Sequence, residues 1–276
     1  MTIITDPEVA EFVLAFADDE HMVGARHAEW IGTAPFLEED LAFCSIAQDE
    51  LGHALGLYAL LTDDIDRFAL LRDPADYRSC HLAERDAASW DDALVRHWLY
   101  DTAEALRWAA LESSSIPELA ALARRPLREE AFHTTHATMF LERVVNAATR
   151  PAIVAAVERL LPDALALFEP VAGEQRALEL GVGSRSSGEL ADEWTASIQA
   201  ALADLGLIVA WPPDSAAASH SAQAGRTVRS AGFAEFLDSL QSVISRPRRR
   251  LVATPGAWIR SPTAGPRGAR NEVSTP

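Results

Sequence analysis

Two stretches of the chain hold a glutamate followed three residues later by a histidine. One is Glu50-Leu51-Gly52-His53, preceded by Gln48-Asp49; the other is Glu130-Ala131-Phe132-His133, preceded by Glu129. On a helix this spacing places both side chains on one face. Two such motifs on facing helices, joined by one carboxylate from each of two further helices, make the ligand set of a carboxylate-bridged dinuclear metal centre in a four-helix bundle. Carboxylates and imidazoles suit iron, leave coordination positions open for dioxygen and can shift as the ions oxidise. Such chemistry needs two more acids, each on an apolar helical face.

The sequence offers them. From residue 7 to 30, Val9, Val13, Phe16, Val23 and Trp30 repeat at helical spacing, and Glu20 falls on that stripe. A carboxylate in an apolar stripe needs a partner, because an unpaired buried charge is prohibitive. Gly32-Thr33-Ala34-Pro35 ends this helix, and the next begins at Pro35 or Phe36, with Phe43, Ile46, Glu50, His53, Leu57 and Leu60 on one face. Residues 62–89 are acidic, contain Pro74 and read as a long connection with one short helix. A third helix spans residues 90–111, with Leu94, Trp98, Asp101, Ala105 and Trp108 on one side. Asp101 is its acid in the stripe, and Glu104, one turn on with a longer reach, is the alternative. The fourth helix starts at Pro117 and carries Leu119, Leu122, Glu130, His133, Ala137, Phe140 and Val144 on one face; Pro126 should kink it.

Distance from the turns tests this set. In a helical hairpin, residues equally far from the turn lie at one height. Glu20 is 14 residues before Ala34 and Glu50 is 16 after it; Asp101 is 14 before Ser115 and Glu130 is 15 after it. At ~1.5 Å per residue all four acids sit ~21–24 Å from their turns. Surface charges scattered at random would not coincide in this way. His27, seven residues after Glu20, reads as a hydrogen-bonded core residue, and so do His21 and His97. His136, one turn past His133, reads the same way or as support for a ligand.

Composition narrows the function classes. The chain has 276 residues, 49% of them hydrophobic, with mean hydropathy near zero, enough for a sizeable core. The net charge of −17, from 24 basic and 41 acidic residues, disfavours nucleic acid as the main partner. Every formal positive charge is arginine, since the sequence has no lysine. Cys44 and Cys80 fit no zinc spacing and read as thiols in a reducing compartment. The first residues lack the features of a signal peptide, and no apolar run approaches the ~18 residues of a membrane span. A cytoplasmic protein with no membrane partner is the expectation.

Helical segments follow near residues 151–168, 173–180 and 188–205. Residues 210–232 are rich in Pro, Ser, Ala and Gly, and an amphipathic stretch occupies 233–243. Residues 246–276 hold seven arginines against Glu272 alone. The division expected is a helical domain over 1–209, a linker with a short helix over 210–245, and a basic, disordered tail over 246–276. The tail would fold back on the acidic body or grip an acidic partner.

Glu20 through Trp30-Ile31-Gly32-Thr33-Ala34-Pro35, then Gln48-Asp49-Glu50-Leu51-Gly52-His53 with Leu57-Tyr58 behind it, resembles the phenylacetic acid catabolic protein family. Its members include the catalytic and the structural ferritin-like subunits of the bacterial phenylacetyl-CoA epoxidase, and the likeness runs over roughly residues 10–245. Residues 30–38 and 225–243 look more like the structural subunit, which characteristically loses ligands in its second helix. The two Glu-x-x-His motifs are similar to the catalytic subunit. The resemblance implies an all-α, ferritin-like four-helix bundle with additional C-terminal helices. It also implies a di-iron centre of two Fe ions on Glu20, Glu50, His53, Asp101, Glu130 and His133, with the four acids serving catalysis. The implied reaction is epoxidation or hydroxylation of an acyl-CoA, with dioxygen and electrons from a reductase or ferredoxin. The implied partner is a homologous ferritin-like subunit, in a homo- or hetero-oligomer. A non-catalytic scaffold subunit is the alternative.

Overall fold

The computed structural model describes residues 3–213 and 225–245. Helices dominate them, and among the described residues there is no strand. Four long helices make the bundle: α1 (Pro7–Ala28), α2 (Leu37–Leu61), α5 (Trp90–Leu111) and α7 (Pro126–Val144). The fold is the ferritin-like helical bundle expected from the motifs. α1 pairs with α2, and α5 with α7, as two hairpins.

Local chemistry sets the helix starts. Asp6 accepts from the backbone N–H groups of Glu8 and Val9, and Pro7 occupies the first turn of α1, where its missing donor costs nothing. Ser89 likewise accepts from the Asp92 N–H at the start of α5. α1 is then buried on all sides from Val13 to His27. A helix surrounded by protein must find a partner for every polar residue it carries, whichever face that residue takes.

The connection from α2 to α5 is more regular than one short helix. It holds α3 (Ile65–Leu70), a 3-10 turn at Pro74–Asp76 and α4 (His81–Glu84). The expected kink at Pro126 is a full break, into α6 (Pro117–Ala123) and α7. Proline has no N–H to offer the preceding turn and its ring crowds the carbonyl four residues back, so a new helix starts there with proline in its first turn. Beyond the bundle lie α8 (Arg150–Ala166), α9 (Glu174–Glu179), α10 (Ser187–Asp204) and α11 (Phe233–Ser245). α8 and α10 cover α5 and put Leu160, Leu161, Trp194 and Ile198 into one apolar cluster with Trp98, Leu99 and Phe140. Trp194 donates its indole N–H to the Leu99 carbonyl at 3.2 Å. The expected disordered tail lies outside the described residues. Among those residues no helix is long and apolar enough to cross a membrane.

Candidate metal centre

The hairpins bring the predicted acids to one level at the middle of the bundle. Glu20, Glu50, Asp101 and Glu130 are wholly buried, and so is Glu104, the alternative on α5. Donor atoms of Glu20, Glu50, His53 and Glu104 lie within 4.8 Å of one another, and so do those of Glu50, Asp101, Glu130 and His133. Both acids of α5 therefore face the centre, one into each group. Glu50 belongs to both groups and stands between them.

The two imidazoles point inward through Nδ1. His53 Nδ1 lies 3.2 Å from Glu20 Oε2, 3.4 Å from Glu104 Oε1 and 3.6 Å from Glu50 Oε2. His133 Nδ1 lies 3.1 Å from Glu130 Oε1 and 3.5 Å from Glu50 Oε1. The outer nitrogens meet the acid that precedes the opposite motif. His53 Nε2 is 2.9 Å from Glu129 Oε2, and His133 Nε2 is 3.5 Å from Asp49 Oδ2. For His53 the Glu129 carboxylate on the far nitrogen fixes the ring and its tautomer, which is how metal-binding imidazoles are held; Asp49 lies beside His133 Nε2 without a hydrogen bond. The sequence carried this signal, because an acid stands immediately before the Glu of each motif.

Other neighbours aim the carboxylates. The Trp108 indole donates to Glu104 Oε1 at 2.8 Å, and the Tyr100 hydroxyl donates to Glu20 Oε1 at 3.3 Å. Gly24 lets α1 and α2 approach: a Cβ there would lie 2.8 Å from the Glu50 Cβ. Any larger residue would push Glu50 off the centre.

The electrostatics are those of a site that lacks cations of its own. Burial, then Glu104 and Glu50, hold the Glu20 carboxyl well above its ordinary range. Burial and the same two acids do so for Glu130, and burial with Glu50 does so for Asp101. Burial also acts against an ionised Glu50, but His133 and His53 outweigh it and hold that carboxyl low. Burial disfavours a charged His133, yet Glu50 and Asp101 raise it to about 9. Both oxygens of Glu50, Asp101 and Glu130, and Oε2 of Glu104, have no hydrogen-bond partner. Five buried carboxylates around two imidazoles, with most oxygens unspoken for, fit hard or borderline divalent ions and fit little else.

The expectation for His27 is corrected by its surroundings. His27 is fully buried, but neither of its ring nitrogens makes a hydrogen bond; the ring packs against Phe43 and His97 instead, at 5.3 and 5.4 Å. Only the three-dimensional arrangement of α1 against α5 could reveal that.

A family profile described as phenylacetic acid catabolic protein matches residues 1–245. The chain belongs to that family. Among curated relatives it is similar to one of the subunits of the 1,2-phenylacetyl-CoA epoxidase of Escherichia coli (strain K12). The two are 28% identical over 144 residues, which is 50% of this chain and 58% of the relative. The aligned stretch thus spans little more than half of that relative's length. The carboxylate and histidine groups at the middle of this bundle could hold metal.

Proposed function

We propose that this chain is the oxygenase component of a multicomponent system, with two iron ions held by Glu20, Glu50, His53, Asp101, Glu104, Glu130 and His133. The observation that carries the reading is the pair of ligand groups that share Glu50. Bound iron would supply the redox chemistry that activates dioxygen, with one oxygen passing to substrate and the other leaving as water. Two electrons and two protons must come from outside, the electrons from a reductase or ferredoxin. The substrate class is an aromatic acyl-CoA, in line with the name of the relative.

The residues divide the work. Glu50, common to both ligand groups, would contribute to both ion sites, and Glu20 and Glu130, protonated without metal, would give up their protons on metal binding. Trp108 and Tyr100 hold Glu104 and Glu20 in place. Trp108 also packs against the His53 ring at 5.5 Å, an apolar wall that keeps water from the imidazole.

A second reading is a scaffold subunit that packs on a homologous ferritin-like chain. It is favoured by exposed apolar side chains on α2 and α7, among them Leu37, Leu41, Phe132 and Met139. One experiment separates the two. Iron content and oxygen-dependent turnover of phenylacetyl-CoA are measured with a reductase, for the wild type and for Glu50→Ala, each alone and mixed with a homologous ferritin-like subunit. The oxygenase reading expects iron and product from the wild type and neither from the variant. Activity of the mixture that survives Glu50→Ala would establish the scaffold.

A further inference from the structure

A third group of donor atoms lies beside the centre. His27 on α1, and His97 and Asp101 one turn apart on α5, are all fully buried. One donor atom from each lies within 4.8 Å of the other two. Neither nitrogen of His27 has a hydrogen-bond partner, nor do Nδ1 of His97 and the two oxygens of Asp101. A buried polar atom left without a partner is costly, because it has given up its bonds to water for nothing. An aliphatic or aromatic residue at position 27 would pack against Phe43 without that penalty, so packing gives no reason for an imidazole there.

We propose that His27, His97 and Asp101 form a third cation site, which takes one borderline divalent ion such as Fe2+, Co2+ or Zn2+. Two imidazoles and one carboxylate are the donors such ions prefer. Asp101 also belongs to the ligand group of Glu50, Glu130 and His133, so this site would adjoin the dinuclear centre through it.

The surroundings are built for it. His97 Nδ1 is 2.7 Å from Asp101 Oδ2, without the geometry of a hydrogen bond, while its Nε2 is 3.2 Å from His136 Nδ1. His136 Nε2 in turn is 3.2 Å from Glu39 Oε2. An ion on His97 Nδ1 selects one direction for the outer bond: His97 donates from Nε2 to His136 Nδ1, which leaves His136 Nε2 facing the Glu39 carboxylate without a hydrogen bond between them. A partner on the outer nitrogen is the support a ligating histidine needs. The same residues give a route in. Glu39 and His136 line a surface cleft of about 280 Å3 with Phe132, Met139 and Arg143. From the cleft to Asp101, ligand-type side chains follow one another at 2.7–3.2 Å, and an ion can be handed along them.

The test uses the full chain, stripped of metal and loaded with cobalt(II). Anomalous diffraction at the cobalt edge should show an ion ~2.0–2.2 Å from nitrogens of His27 and His97, in addition to any between Glu50 and Glu130. By equilibrium dialysis the wild type should bind about one cobalt more per chain than His27→Leu, as the donor count requires. Where His27→Leu does not fold, His27→Gln replaces it. The wild-type map decides the matter even if neither variant folds. No cobalt at His27 in that map, or equal binding by wild type and folded variant, would overturn the site. Cobalt at His27 with none between Glu50 and Glu130 would instead sink the dinuclear reading and leave this one standing.

Discussion

Three consecutive residues of α1, Asp18, Asp19 and Glu20, are all wholly buried, yet they live in opposite electrostatic worlds. Asp18 accepts from the Tyr58 hydroxyl at 2.6 Å and the Arg78 N–H at 2.7 Å, and it is ion-paired with Arg72. Asp19 faces Arg107 and Arg226, each at 2.8 Å, and the Cys80 N–H at 2.6 Å. Glu20, on the next face, meets the acids of the centre, the His53 imidazole and the Tyr100 hydroxyl. In the first cluster the protein supplies its own counter-charges, drawn from as far away as residue 226. In the second it supplies none beyond what a protonated histidine can offer. Burial of charge therefore does not distinguish a structural network from a site. The distinction lies in whether arginine answers the carboxylates.

That contrast can be broken at its strongest point first. Glu50→Ala removes the carboxylate common to both ligand groups, and iron affinity should fall by on the order of 100-fold or more. Metal analysis after dialysis reads this, and iron retained at the wild-type level would put the ligands elsewhere. Asp19→Ala should leave metal binding in place and strike the fold instead. Arg107 and Arg226 would be stranded in the interior, and the loss should be ~3–5 kcal/mol by denaturant unfolding. A loss under ~1 kcal/mol would mean that water reaches this cluster.

The double change Glu20→Gln, Glu130→Gln sharpens the comparison from the other side. Both carboxyls are held in the protonated range without metal, so the amides copy their charge. The metal-free variant should unfold within about 1 kcal/mol of the wild type, or be more stable, while losing metal. Collapse of the metal-free variant would reveal a structural role that the arrangement does not suggest.

The smallest effect is in pH. Above their ordinary value of 4.5, Glu20 and Glu130 keep in the folded chain a proton that the unfolded chain has lost. Rising pH therefore favours unfolding. His133 acts in the same direction: its contribution is complete below 6.5 and disappears as pH passes about 9. The melting temperature of the metal-free protein should fall across that interval, by roughly 2–4 °C for each kcal/mol lost. Metal occupies the same lone pairs and should flatten the curve. A metal-free melting point that rises with pH would contradict the protonation scheme.

Much of this was legible in the chain itself. Glu20, Glu50, Asp101 and Glu130 each sat on an apolar helical stripe, and counting from the turns put them at one depth, because rise per residue is nearly constant in a helix. The four long helices, the approximate ends of the first three and the helical segments after residue 150 followed from periodicity and proline placement, whereas the fourth starts at Pro126 and not at Pro117. Spacing alone could not choose between Asp101 and Glu104. One turn of helix separates them, and only packing of α5 between its neighbours turns both inward. Nor could it show that Asp18 and Asp19, off the stripe, would be buried beside Glu20. Their partners come from Arg72, Arg107 and Arg226, far along the chain, and no local pattern encodes which carboxylate an arginine will find. The sequence decided which residues would be lifted to the middle of the bundle; the tertiary structure decided which of them would be neutralised there by arginine and which would be left without a counter-charge.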